Sequence, residues 1–273
     1  MSRAWLVVVL AALAGPAAAD PGPEARPEPR RWLYLRAGVA SITPLTSSHE
    51  MELADVDGPA SLAVHDGPIA GSGATVDGAI VPALTVGFTL PTASRRWSFE
   101  AVLGVPFKVK FKATGTLANA SLAPTALGIP TGVEPLGEEL GEAKAAPPVF
   151  TLVYQLTDHG LLRPYVGAGV SVLFSYDAHV TNPMLLAVGE PEMSIAPAPG
   201  VVAQGGLDVR LWKSVYARVD VKFIALMKAR AEVRHIQVET PGIPLFDSVE
   251  VGTAKMNIWV NPLIVQGGVG VDF

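Results

Sequence analysis

The stretch 147–176, PPVFTLVYQLTDHGLLRPYVGAGVSVLFSY, limits what this chain can fold into more than any other. Phe150, Leu152, Tyr154 and Leu156 alternate with Val149, Thr151, Val153 and Gln155, a smaller and more polar set. Beyond the turn Thr157-Asp158-His159-Gly160, Val166, Ala168, Val170, Val172 and Phe174 alternate with Tyr165, Gly167, Gly169 and Ser171. Period-two alternation on both sides of a short turn predicts an antiparallel hairpin. In a soluble hairpin the large apolar face is buried and the polar face is wet. Here the small, polar face suits a narrow interior and the greasy face suits the outside, which is the pattern of an outer-membrane β-barrel.

The same alternation recurs along the chain. Residues 32–42 turn Leu33, Leu35, Ala37 and Val39 outward and Tyr34, Arg36 and Gly38 inward. Residues 80–90 form the next strand, with Pro82 expected near its outer end because a proline cannot donate to the ladder. From Trp97 a long run puts Trp97, Phe99, Ala101, Leu103, Val105, Phe107, Val109 and Phe111 on the outer face. Glu100, Lys108, Lys110 and Lys112 fall on the inner face, giving an inward lysine stripe. A spanning strand needs only about 9–11 residues, so the end of this run is expected to project beyond the membrane. In 201–211 and 215–225 the odd positions are apolar or glycine, while Asp208, Arg210, Arg218, Asp220 and Lys222 share the even face. A three-residue loop at Trp212-Lys213-Ser214 sets Asp208 opposite Arg218, a modestly stabilising pair. Residues 259–273 close the series, with Gln266 and Asp272 inward and Phe273 outward.

Eight strands result, and the connections between them alternate. Those at 91–96, 157–162 and 212–214 are short; those at 43–79, 114–146, 177–199 and 234–257 are long. Short turns at one end and long loops at the other are the habit of bacterial outer-membrane barrels. Aromatic residues collect near the short turns, among them Trp32, Tyr34, Trp97, Tyr154, Tyr165, Trp212, Tyr216 and Phe273, as an interfacial girdle does. In the second long loop Glu134, Glu138, Glu139 and Glu142 are read as a short, solvated acidic helix.

Targeting agrees. Arg3, the apolar run 4–13 and Ala17-Ala18-Ala19 before Asp20 predict a cleavable signal peptide over 1–19, followed by a Pro-rich periplasmic leader over 20–31 and the barrel over 32–273. Mean hydropathy is +0.37, yet no later run is long enough for a spanning helix. Without cysteine there is no disulfide or thiolate site. A formal charge of −5 argues against nucleic acid as a partner.

The inward charges Arg36, Glu100, Asp208, Arg210, Arg218, Asp220, Lys222 and Asp272 admit two readings: a filter that controls passage, or ion pairs that fill a narrow bore. Eight strands leave an interior just wide enough for side chains, and the second reading is adopted for most of them. The lysine stripe admits anion attraction, lipopolysaccharide phosphates included, or a merely solvated face. Catalysis is the rival class, since it needs a histidine held against a serine and a carboxylate. His49, His65, His159, His179 and His235 all fall in loops, turns or strand tips with no such partner fixed by spacing. No catalytic residue, metal site or cofactor is expected. A soluble lipocalin-like barrel is set aside because of the signal peptide, the terminal Phe and the turn asymmetry.

The segments LYLRAGVASITP (33–44), WSFEAVLGVPFKVKFKATG (97–115), PPVFTLVYQL (147–156), RPYVGAGVSVLFSYD (163–177) and GGLDVRLWKSVYARVDVKFI (205–224) resemble the outer-membrane protein W family. The final strand is similar too, with its Asn-Pro and terminal Phe. The first two long loops depart from the family, and the chain ends VDF where an aromatic-basic-Phe ending is usual. The resemblance implies an eight-stranded barrel in the outer membrane of a Gram-negative bacterium, with a narrow channel. It also implies passive passage of small hydrophobic solutes through an apolar pocket near the outer mouth and then sideways into the membrane. Pocket candidates are Phe107, Phe111, Leu173, Phe174 and Ile224, of which only Leu173 and Ile224 have inward parity. The partners it implies are outer-membrane lipid and lipopolysaccharide, and the barrel assembly machinery through the strand ending in Phe273. The alternatives are a structural or surface-interaction barrel without transport, and a lipid-modifying barrel enzyme.

Overall fold

The computed structural model describes residues 32–92, 94–157, 160–226, 229–242 and 247–273. The expected signal peptide and leader lie outside the described residues, as do Asp158 and His159. The wall is made of β1 (Leu33–Ser48), β2 (Ala79–Thr89), β3 (Trp97–Gly104), β4 (Phe107–Gly115), β5 (Glu139–Ala146), β6 (Val149–Gln155), β7 (Leu162–Val180), β8 (Glu192–Ile195), β9 (Ala198–Arg210), β10 (Val215–Leu226), β11 (Ala229–Glu239) and β12 (Ser248–Asp272). Its lower part is a closed antiparallel ring in the order β1, β2, β3, β6, β7, β9, β10, β12 and back to β1. Taken in chain order, each of these eight strands pairs with the next, and the last, β12, pairs back with β1, so the ring closes and leaves no free edge.

In this lower ring the alternation runs as the sequence dictates. Leu35, Val39, Leu84, Phe99, Phe150, Val170, Val219 and Val269 are exposed on the outer surface, while Tyr34, Arg36, Glu100, Thr151 and Asp220 are buried inside. On β12 the outward apolar set runs from Leu263 to Val271 with Phe273 beyond it, about 25 Å of height at the usual strand rise and tilt. That is the height of a membrane-spanning apolar band.

Above this band the polarity of the wall inverts. On β4, Val109, Phe111 and Ala113 point inward and are buried, while Lys108 and Lys110 are exposed outside. The lysine stripe expected to face the lumen therefore faces outward. The chain makes the switch at Val105-Pro106, between β3 and β4, where the strand breaks and the parity of inward residues shifts by one. On β12 no parity shift is needed: the inward Gln266 gives way upward to Ile264, Ile258, Met256 and Ala254. Where the outer face meets water, apolar residues gain by turning in.

The same inversion explains three further departures. The long loop expected at 234–257 is largely strand, because β11 pairs with β12 from Ala229↔Ile258 to Glu239↔Ser248. The expected acidic helix is absent, since Glu139 and Glu142 lie on β5, paired with β4 and β7. Strand one extends to Ser48 rather than stopping near Ile42. β5 and β11 alternate apolar or small residues inward and charged residues outward, which does not read as lipid-facing. At this height the wall is completed by the short strand Ser72–Val76 against β4 and by β8 between β7 and β11.

A sealed lumen beneath an apolar cavity

The lower lumen is filled by one hydrogen-bonded charge network. Glu100, on β3, is fully buried; its Oε1 accepts from Arg36 Nη1 at 2.7 Å, Arg218 Nη1 at 2.8 Å and the Tyr34 hydroxyl at 2.9 Å. Arg218 also forks onto Asp208, donating from Nε at 2.5 Å and Nη2 at 2.9 Å, across the Asp208↔Arg218 pair of β9 and β10. Bidentate guanidinium–carboxylate geometry is the strong form of this bond. Lys222 Nζ donates to Asp220 at 2.6 and 2.7 Å and to Gln266 at 3.2 Å; Tyr165 adds a hydroxyl to Asp220 at 3.0 Å. Gln204 bridges Glu100 and Asp220 at 3.3 and 3.2 Å, and Gln155 donates to Asp208 at 3.2 Å. Three cations thus meet three carboxylates, and the network is neutral.

Tyr34, Tyr165 and Tyr216, expected in the interfacial girdle, are instead buried in the lumen and shape this plug. The guanidinium of Arg36 lies 4.1 Å from the Tyr34 ring centroid, and that of Arg218 lies 3.8 Å from the Tyr165 ring. Each ring rests on a glycine directly across the ladder: Tyr34 on Gly87, Tyr165 on Gly206, Tyr216 on Gly270. A Cβ at Gly87 would overlap the Tyr34 ring itself. The readable signal was an inward tyrosine opposite an inward glycine. Arg210 stands at the lower end of the lumen, where with Arg163, Asp208, Lys213, Tyr216 and Asp272 it lines a small recess.

Above the plug a buried layer of Ala40, Val81, Ala83, Val149, Val202, Ile224 and Ile264 separates charge from two stacked apolar cavities. The lower cavity, about 70 Å³, is lined by Ile42, Phe107, Leu173, Ile224, Val260 and Ile264 among others. The upper, about 100 Å³, is lined by residues such as Leu53, Leu136, Leu185, Met193, Val251 and Met256. Leu173 and Ile224 therefore line one space, joined by Phe107 and Phe111, which the parity switch brings inward; Phe174 points outward and is exposed. Among the described residues, Asp77 is the one ionisable residue that lines the lower cavity and Glu134 the one that lines the upper. The top is clasped by Asn182, fully buried, whose Nδ2 donates to the carbonyls of Leu136 at 2.8 Å and Glu139 at 2.6 Å.

The wall beside the lower cavity carries an unbonded seam. β2 pairs with β3 as far as Ala83↔Gly104, and the next rung above is Asp77 N to Lys110 O at 3.1 Å. Between them, among the described residues, no backbone hydrogen bond joins 78–82 to 105–109. Pro82 and Pro106 sit on either side, and neither can donate. Of the histidines, His49 accepts from Trp259 Nε1 at 3.2 Å and His179 lies 3.3 Å from Glu142. His65 is exposed and His235 lies 3.6 Å from Glu250. No hydrogen bond among the described residues joins a histidine to a serine hydroxyl.

A closed eight-stranded ring, apolar outside and neutralised inside, defines an integral outer-membrane β-barrel. The chain belongs to the OmpW family, whose model matches residues 33–273, and this sets it in the Gram-negative outer membrane. The chain is similar to the dibenzothiophene metabolism operon proteins PahQ of Pseudomonas aeruginosa and DoxH of Pseudomonas sp. (strain C18). Each is 25% identical over 178 residues, which is 65% of this chain and 65% of the relative's own length. Among solved structures it is similar to OprG from Pseudomonas aeruginosa, with TM-score 0.67 and 19% identity over 89% of this chain and 96% of that one. It is also similar to AlkL, with TM-score 0.50 and 16% identity over 94% and 97%. At these identities the structural likeness is one of fold.

Proposed function

We propose that this barrel is a passive conduit for small hydrophobic molecules. They enter the apolar cavities from outside and leave sideways, through the seam between β2 and the segment that leads into β4, into the outer membrane. The observation that carries this reading is the order of layers: an apolar cavity, an apolar seal, then a neutral, hydrogen-bonded plug. Water and ions gain nothing from the first, and the last leaves no through-path. A solute too apolar for the plug has only the seam beside it. The relatives named for dibenzothiophene metabolism support a fused-ring aromatic as one cargo.

The reading makes the chain non-catalytic, with no cofactor or metal. Its partners are the solute, outer-membrane lipid, and lipopolysaccharide, whose phosphates would meet the outward lysines Lys108, Lys110 and Lys144 just above the apolar band. Phe273, at the end of β12, is read as the residue presented to the barrel assembly machinery. The test is uptake of naphthalene into vesicles carrying the refolded barrel. Uptake well above that of protein-free vesicles is expected. No difference, from protein shown to be folded and inserted, would leave a structural or surface-interaction barrel.

A further inference from the structure

The two cavities share three lining residues: Phe111, Ala231 and Ile258. Phe111 is on β4 and Ala231 on β11, and the wall order puts them opposite each other. One way round the path is β4, β5, β7, β8, β11. The other is β4, the strand Ser72–Val76, β1, β12, β11, with Ala74 N donating to Ser48 Oγ at 2.9 Å between the second and third. Four steps lie along either path. Ile258, next to β11 on β12, is buried in the same cluster as Phe111. The junction between the cavities is thus walled by one aromatic ring, one methyl group and one branched aliphatic side chain.

Each cavity alone is smaller than the apolar hole of about 150 Å³ that holds a benzene. A ring-sized solute must therefore thread the junction to reach the seam, and the junction is where shape is read. We infer that Phe111, Ala231 and Ile258 form the selectivity neck of the conduit, passing flat or linear hydrocarbons and holding back cage-like ones of equal apolarity. This rests on the conduit reading above.

The experiment compares uptake of naphthalene and of adamantane into vesicles carrying wild type, Phe111→Ala or Ala231→Phe, each confirmed as folded by its heat-modifiable gel band. Wild type is expected to favour naphthalene. Phe111→Ala should raise the adamantane-to-naphthalene ratio about tenfold, the scale on which small size differences discriminate in apolar pockets. Ala231→Phe should cut naphthalene uptake by a similar factor. Should Phe111→Ala fail to fold, Phe111→Leu and Ala231→Val provide the same comparison in smaller steps. A ratio unchanged in every folded variant, with wild type carrying both probes, overturns the neck and leaves the conduit standing. No wild-type uptake of either probe overturns both.

Discussion

Glu100 accepts from two guanidiniums, a phenol and an amide, and it is the residue on which the lumen network converges. Removing one partner of a buried ion pair leaves an uncompensated charge, which typically costs about 3–5 kcal/mol. Glu100→Ala leaves Arg36 without its carboxylate while Asp208 still holds Arg218, so the unfolding free energy measured in urea should fall by an amount in that range. Glu100→Gln keeps the shape and should lose less. The tyrosine–glycine pairs make a second prediction. Gly87→Val drives a side chain into the Tyr34 ring and should destabilise the barrel; adding Tyr34→Ala should recover part of that loss. Additive effects in the urea series would mean that the two residues do not share the space claimed for them.

At the scale of elements, two features go beyond simple pairing. Pro82 and Pro106 flank the seam, where β2 parts from the segment 105–109 that leads into β4. Replacing both with valine restores two donors, and the predicted outcome is slower naphthalene release into the membrane with unchanged binding. Faster release would contradict a lateral exit there. The second feature is the outer rim. The Asp177 carboxyl, bonded by Lys144 at 2.7 Å, and that of Glu142, bonded by Lys108 at 2.7 Å, are both held below the usual carboxylate range. Carboxylates depressed on folding contribute stability that is present above their unfolded values and lost as pH falls through the folded ones. Amide protection factors on β5 and upper β7, corrected for the intrinsic exchange rate at each pH, should therefore be the same at neutral and mildly acidic pH, and fall only below about pH 4, where ordinary carboxylates begin to protonate. The rim strands were also where sequence reading failed. Lys108, Lys110 and Lys112 alternate with apolar residues just as the membrane segment does, and only the medium outside the wall decides which set turns in. Period two fixes two faces but not their sense, and water above the band reverses the choice.

For the whole molecule, the ring, its strand order and its lumen charges were legible because the lipid band imposes one polarity on eight strands in succession. Asp208 opposite Arg218 followed from loop length alone. The cavity was not legible in this way: Phe107 and Phe111 reach it only through the break at Val105-Pro106, and Met193 and Leu185 arrive from segments with no lipid-facing pattern. What results is a barrel with two interiors, a polar one within the membrane and an apolar one above it. The measurement that tests this account most directly is planar-bilayer conductance of the refolded barrel, paired with naphthalene uptake into vesicles from the same preparation. The account predicts uptake without stepwise ionic current, and current appearing once Glu100→Ala loosens the plug. A steady ohmic current through the wild-type barrel would mean an open aqueous lumen and would contradict it.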